Sequence, residues 1–340
     1  MKASASAASR IEWIDAVKGL GIILIMVSHV NCLPFELPLT AGYVSMFFVL
    51  SGYTFKEDGF KKGMIKKSKR LLIPYFIYGI LAVLLYLFVS SYGFWKNCIG
   101  LIYSRYSFYP LNVEDNYLFL KFDSPLWFVT TLFMAYLWTY IYTLFSSKKG
   151  KFTLAVVYIL ITVLCVNLPV LLPWSIDISF IASLFIIVGR EITKTSYFRI
   201  KSKRTDCLLV ACLAIVCLPL VYYNGWINMS VRIYGEHDYV SILYFFIIGV
   251  STTLIYGSCF RILANTLITR FFAKIGGCSL TLMCIHMPII ILLEHTIFRH
   301  VDLNRNVMNL LAIVLIIILV IAFHNVKKRF FQHSPILKYL

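Results

Sequence analysis

Three ionisable side chains lie inside an apolar run long enough to cross a bilayer. They are Asp15, Lys18 and His29, within IEWIDAVKGLGIILIMVSHVNCL at residues 11–33. An ionisable group at membrane depth costs about 3 kcal/mol or more, so each marks a candidate functional site. Lys18 and His29 are separated by 11 residues, about three turns at roughly 3.6 residues per turn, and Asp15 precedes Lys18 by one turn. All three therefore share one stripe, which must face a protein interior or a wet cavity. His29 could be a general base, since an imidazole titrates near working pH, or it could hydrogen-bond a neighbouring helix. Lys18 could hold a phosphate or pair with Asp15 at i,i+3.

Further candidates follow along the chain. Lys67 and Arg70 stand at i,i+3 in the basic stretch KKGMIKKSKRLLIPY, just before an apolar run. Cations there can hold the phosphates of a nucleotide-type cofactor or of lipid headgroups, and a plain topological signal would also place them there. Trp127, in SPLWFVTTLF, is either an interfacial belt residue or a substrate contact. In IGGCSLTLMCIHMPII, His286 stands two residues before Pro288, which predicts a kinked helix with a buried imidazole, either packed or lining a cavity.

The elements that must position these residues are membrane helices. The 340 residues are 60% hydrophobic and 14% charged, with mean hydropathy +0.82, far more apolar than a soluble domain. The pattern predicts an all-α, polytopic integral membrane protein with one transmembrane domain over 1–340. Ten spans are expected, at 12–32, 38–55, 71–92, 125–145, 152–169, 175–191, 206–224, 239–259, 277–298 and 306–325. Of the 32 Lys and Arg residues, 25 fall on one set of alternating loops and six on the other, with Lys18 between them. That bias predicts cytoplasmic N- and C-termini and accounts for the net charge of +17 without nucleic acid. Nine cysteines, mostly within apolar runs and without metal-ligand spacing, read as core residues, and no metal is expected. The two larger outer segments, 93–124 and 225–238, mix Trp and Tyr with carboxylates and amides, which suits a sugar or a simple aromatic belt.

Four stretches in order resemble the membrane acyltransferase-3 family, especially its fucose O-acetylase-like branch. Asp15, Lys18, Gly19 and His29 fall on the family's opening pattern; FFVLSGY with the segment ending RLLIPY, PLWFV, and IGGCSLTLMCIHMPI match later stretches. The resemblance covers about residues 10–330. Lys18 stands where the family usually has Arg, keeping the charge without the bidentate fork. The family's basic pair falls on Lys67 and Arg70, with Lys66 and Lys69 as the competing register.

The resemblance implies transfer of an acyl group, usually acetyl, from cytosolic acyl-CoA, with acetyl-CoA as the expected donor, to a hydroxyl of a cell-surface or lipid-linked glycan. The expected setting is a bacterial inner membrane, with the lipid bilayer as a further partner. It implies His29 as base, Asp15 and Lys18 shaping the polar stripe, Lys67 and Arg70 on the CoA phosphates, and Trp127 and His286 lining the cavity. Transfer through an acyl-histidine is a variant of the same chemistry. The rival expectation is a transporter or flippase for a lipid-linked glycan, which should show paired half-helices or internal repeats; the chain shows neither.

Overall fold

A computed structural model describes residues 12–30, 41–89, 93–110, 125–195, 202–301 and 303–330. Among these residues there is no β-strand, only an isolated antiparallel bridge between Asn228 and Ile233. Twelve α-helices carry the fold: α1 Glu12–Val30, α2 Tyr43–Tyr53, α3 Phe60–Val89, α4 Phe94–Tyr103, α5 Trp127–Leu144, α6 Lys148–Val166, α7 Ile176–Ile192, α8 Lys203–Asn224, α9 Val240–Ile262, α10 Leu267–Gly276, α11 Ser279–Thr296 and α12 Arg305–Phe330.

Each of the ten expected spans overlaps one of these helices. Among the described residues, seven stretches are long and apolar enough to cross a membrane: α1, α6, α8, α9, α12, residues 60–87 of α3, and α11 with its extension to His300. At 11 residues α2 reaches about 16 Å, too short to cross a hydrocarbon layer of roughly 30 Å. Two further helices lie where only loops were expected. The basic segment 260–276 contains α10, and the outer segment 93–124 contains α4, whose Leu101 carbonyl accepts the Tyr75 hydroxyl at 2.6 Å. The stretch 111–124 lies outside the described residues. The third span also begins earlier than expected. Helix α3 starts at Phe60, so the basic stretch before Leu71 is itself helical and its cations acquire fixed faces.

Small residues allow the inner helices to touch. A side chain on Gly19 would meet the Phe272 carbonyl oxygen at 2.0 Å, and one on Gly276 would meet that of Asp15 at 1.8 Å, so α1 and α10 cross backbone to backbone. Gly52 and Gly189 form a second reciprocal crossing between α2 and α7, against the Ile186 and Val49 carbonyls at 1.9 and 2.0 Å. In a lipid solvent, apolar side chains gain little by leaving the bilayer for each other, so close backbone packing of this kind holds helices together. Helices α1, α2 and α7 are largely buried, whereas only 17% of the α6 and α8 spans is covered, leaving Leu160, Leu164, Ile215 and Val216 facing outward.

At the end of the bundle remote from the start of α3, a buried ion cluster ties three connections together. Asp177, at the start of α7, pairs with Arg105 beyond α4 and lies 3.5 Å from Arg232 in the α8–α9 connection. Arg105 also donates to the carbonyls of Leu172 (3.0 Å) and Ser230 (2.7 Å). Arg232 donates to those of Cys165 (2.8 Å), Val170 (3.1 Å) and Leu168 (2.7 Å). Both arginines are at most 4% exposed.

Candidate active site

The early start of α3 decides which basic residues converge. An open cleft of about 640 Å³ is lined by Lys18 of α1, Lys67, Arg70 and Leu71 of α3, and Ser279, Leu280 and Met283 of α11. Phe47, Ser51 and Thr54 close it from α2, and Phe128, Leu132 and Tyr136 from α5. Three cations thus share one wall system, and the described residues lining it include no carboxylate. The Lys67 ammonium sits 3.6 Å above the centre of the Tyr136 ring, a cation–π contact that fixes its direction.

The competing register points elsewhere. Lys66 forms a 2.6 Å ion pair with Asp58 in the α2–α3 connection, and Lys69 is exposed and does not line the cleft. A helical rotation of about 100° per residue separates the two pairs, so only one can face inward. Asp15 is 8% exposed, is not part of the cleft wall, and sits at the backbone crossing with Gly276.

His29 stands 11 residues beyond Lys18 on α1, about 16 Å further into the molecule at roughly 1.5 Å per residue. Its side chain is exposed. His286 of α11 lies beside it, the two ring centres 5.4 Å apart and the planes tilted by 40°. His286 is fully buried, with Nδ1 2.8 Å from the Leu282 carbonyl. Seven residues, two helical turns, separate His286 from Ser279 at the cleft, so both lie on one face of α11. Trp127 is half-buried against the apolar core, 6.2 Å edge-on to Phe128, and is not one of the cleft's lining residues.

A family model described as an acyltransferase domain matches residues 11–324, which take in the cleft and both histidines. The chain belongs to the acyltransferase-3 family. No curated protein and no solved structure matches it. As a member of this family with several membrane-crossing helices, the protein is a multi-pass membrane acyltransferase.

Sequence reasoning singled out the cleft cations and both histidines but passed over Tyr136, Ser51, Thr54 and Ser279. A signal for the first was present. Phe128, Leu132 and Tyr136 recur every four residues, the interval that brings one helical face against a neighbour. Ser51 and Thr54 stand at i,i+3, a spacing open to reading, whereas Ser279 comes from a distant helix and no local period connects it to them.

Proposed function

We propose that this acyltransferase is an O-acetyltransferase. It would move an acetyl group from cytosolic acetyl-CoA to a hydroxyl of a cell-surface or lipid-linked glycan across a bacterial inner membrane, as in the fucose O-acetylase-like branch. The observation that carries this reading is the convergence of Lys18, Lys67 and Arg70 on one open cleft, with Lys18 on the same helix that presents His29 about 16 Å further on. Phosphates favour cations in a partly enclosed site, where charge-assisted hydrogen bonds are strong. With cytoplasmic termini, the cleft opens to the cytosol and the pantetheine arm of CoA runs up the bundle towards His29.

His29 then takes the proton of the acceptor hydroxyl as its oxygen attacks the thioester carbonyl. The C–S bond breaks, the thiolate leaves, and the proton passes from His29 to sulfur, so that free CoA and the O-acetyl glycan are the products. Asp15 supports the polar stripe from within the α1–α10 crossing, and Trp127 would meet the sugar from the other side of the bundle.

The test is mass analysis of surface polysaccharide from cells carrying His29→Ala. That variant inserts at the wild-type level, and O-acetylation falls by about 10²-fold or more, the ordinary contribution of a positioned base. Acetylation at the wild-type level in that strain overturns the assignment.

A further inference from the structure

The second histidine has a property that the proposed reaction does not use. Its Nδ1 lies 2.8 Å from the Leu282 carbonyl, and a carbonyl can only accept, so the proton is on Nδ1. Nε2 is therefore a bare acceptor. It is buried and, among the described residues, has no hydrogen-bond partner. A buried polar atom left unpaired is costly, so a donor is expected within reach at some stage of the protein's work. The ring that lies there is His29, at 5.4 Å centre to centre. Two imidazoles joined by an N–H···N bond of about 2.9 Å have centres roughly 5 Å apart, so a small ring rotation makes the bond.

Burial separates the roles of the two rings. Nε2 of His286 is shut off from any incoming molecule, whereas His29 is exposed. His286 therefore acts through His29 and not on the substrate. We propose that His286 is a positioning residue whose Nε2 accepts the N–H of His29. The bond fixes one tautomer of His29, leaves its other nitrogen bare on the exposed side of the ring, and holds the ring when that nitrogen takes up a proton. His286 itself gains and loses no proton in the cycle. This inference rests on the proposal that His29 is the base.

The test uses full-length protein in lipid nanodiscs with acetyl-CoA as the probe, following release of free CoA thiol. His286→Leu, which is apolar and similar in bulk, should lower kcat about ten- to a hundredfold, the worth of one hydrogen bond to a charged group. KM for acetyl-CoA should stay within about twofold, because the loss falls on the reacting state and not on donor binding. His286→Gln keeps an acceptor oxygen and should recover most of the rate. In parallel, nitrogen NMR of histidine-labelled protein should show one His29 tautomer in the wild type and His286→Gln, and a mixture in His286→Leu. An unchanged kcat in His286→Leu overturns the proposal. So does an equal loss in both variants with an unchanged His29 tautomer, which would mark His286 as packing alone. If the wild type releases no CoA with water as the only acceptor, the tautomer spectra decide whether His286 positions His29; if it does not bind acetyl-CoA either, the O-acetyltransferase reading falls.

Discussion

Two clusters of cations stand at opposite ends of the bundle and are built on opposite terms. In the far cluster, Arg105 and Arg232 are almost fully buried and held by the Asp177 carboxylate and five backbone carbonyls. In the cleft, Lys18, Lys67 and Arg70 are at most half-buried and share walls of hydroxyls and aromatic rings, with no carboxylate among the described residues that line it. The same residue types thus serve two ends. Arginines buried against a carboxylate and backbone carbonyls hold loops in place, whereas cations gathered around an open space leave room for an anion. Burial against a counter-charge, and not charge itself, separates structure from binding.

The largest expected effect comes from breaking the buried cluster. Asp177→Ala leaves two buried guanidinium groups without their counter-charge, a loss of about 3–5 kcal/mol. The buried cysteines Cys165, Cys217, Cys278 and Cys284 allow a direct reading above the baseline of the exposed Cys207 and Cys212, because a thiol-reactive fluorophore labels the buried ones only as the protein opens. The unfolding midpoint in detergent should fall steeply, while KM for acetyl-CoA in the folded fraction stays unchanged. A wild-type midpoint for Asp177→Ala would show that the far cluster is not what holds the three connections.

These two clusters were not equally legible in the sequence. Lys67 and Arg70 lie on one helix, so their i,i+3 spacing alone put them on one face, and the cleft confirms that they share a wall. The far cluster joins residues 105, 177 and 232, which no local period connects; in the sequence Arg105 and Arg232 were simply two of the outer positive charges. The apolar spans were visible because a lipid solvent demands long runs. Helix α10 was not, because only one of its faces is apolar against the bundle while Arg270 and Lys274 gave it the composition of a loop. The short α2 was taken for a full span because burial on all sides by α1, α7 and α9 makes its run uniformly apolar. The His29–His286 contact joins the first helix to the eleventh and belongs with the far cluster, beyond the reach of spacing.

The middle effect concerns the cleft. Arg70→Ala and Lys67→Ala should each raise KM for acetyl-CoA about tenfold or more, from the loss of a charge-assisted contact of about 1.5–3 kcal/mol, with little change in unfolding midpoint. Arg70→Lys keeps the charge and loses the planar fork, so its effect should be smaller. Lys67→Ala also frees the Tyr136 ring from its cation, so its kcat should suffer more than that of Arg70→Ala. A drop in stability as large as that of Asp177→Ala, with KM unmoved, would place these cations in the structural class and erase the contrast.

The smallest effect sharpens the same contrast one residue away. Lys66 and Lys67 are neighbours in sequence, yet only Lys67 faces the cleft. The hydrogen bond from Lys66 at 2.6 Å is the main cause that holds the Asp58 carboxyl below its ordinary range, with the nearby charges of Lys62 and Lys56 adding to it. A carboxyl whose folded value is depressed contributes stability above its ordinary pKa of about 4, and that contribution is lost as pH falls through the lower folded value. Lys66→Ala should therefore give a slightly lower unfolding midpoint than wild type at pH 7, and the difference should shrink as pH falls below about 4 and be lost once Asp58 is protonated in both. Exposed pairs of this kind are worth little, so the shift will be close to the limit of measurement. KM for acetyl-CoA should not move at all. A rise in KM matching that of Lys67→Ala would mean that the donor reaches round the helix, and the face assigned to the cleft would be wrong.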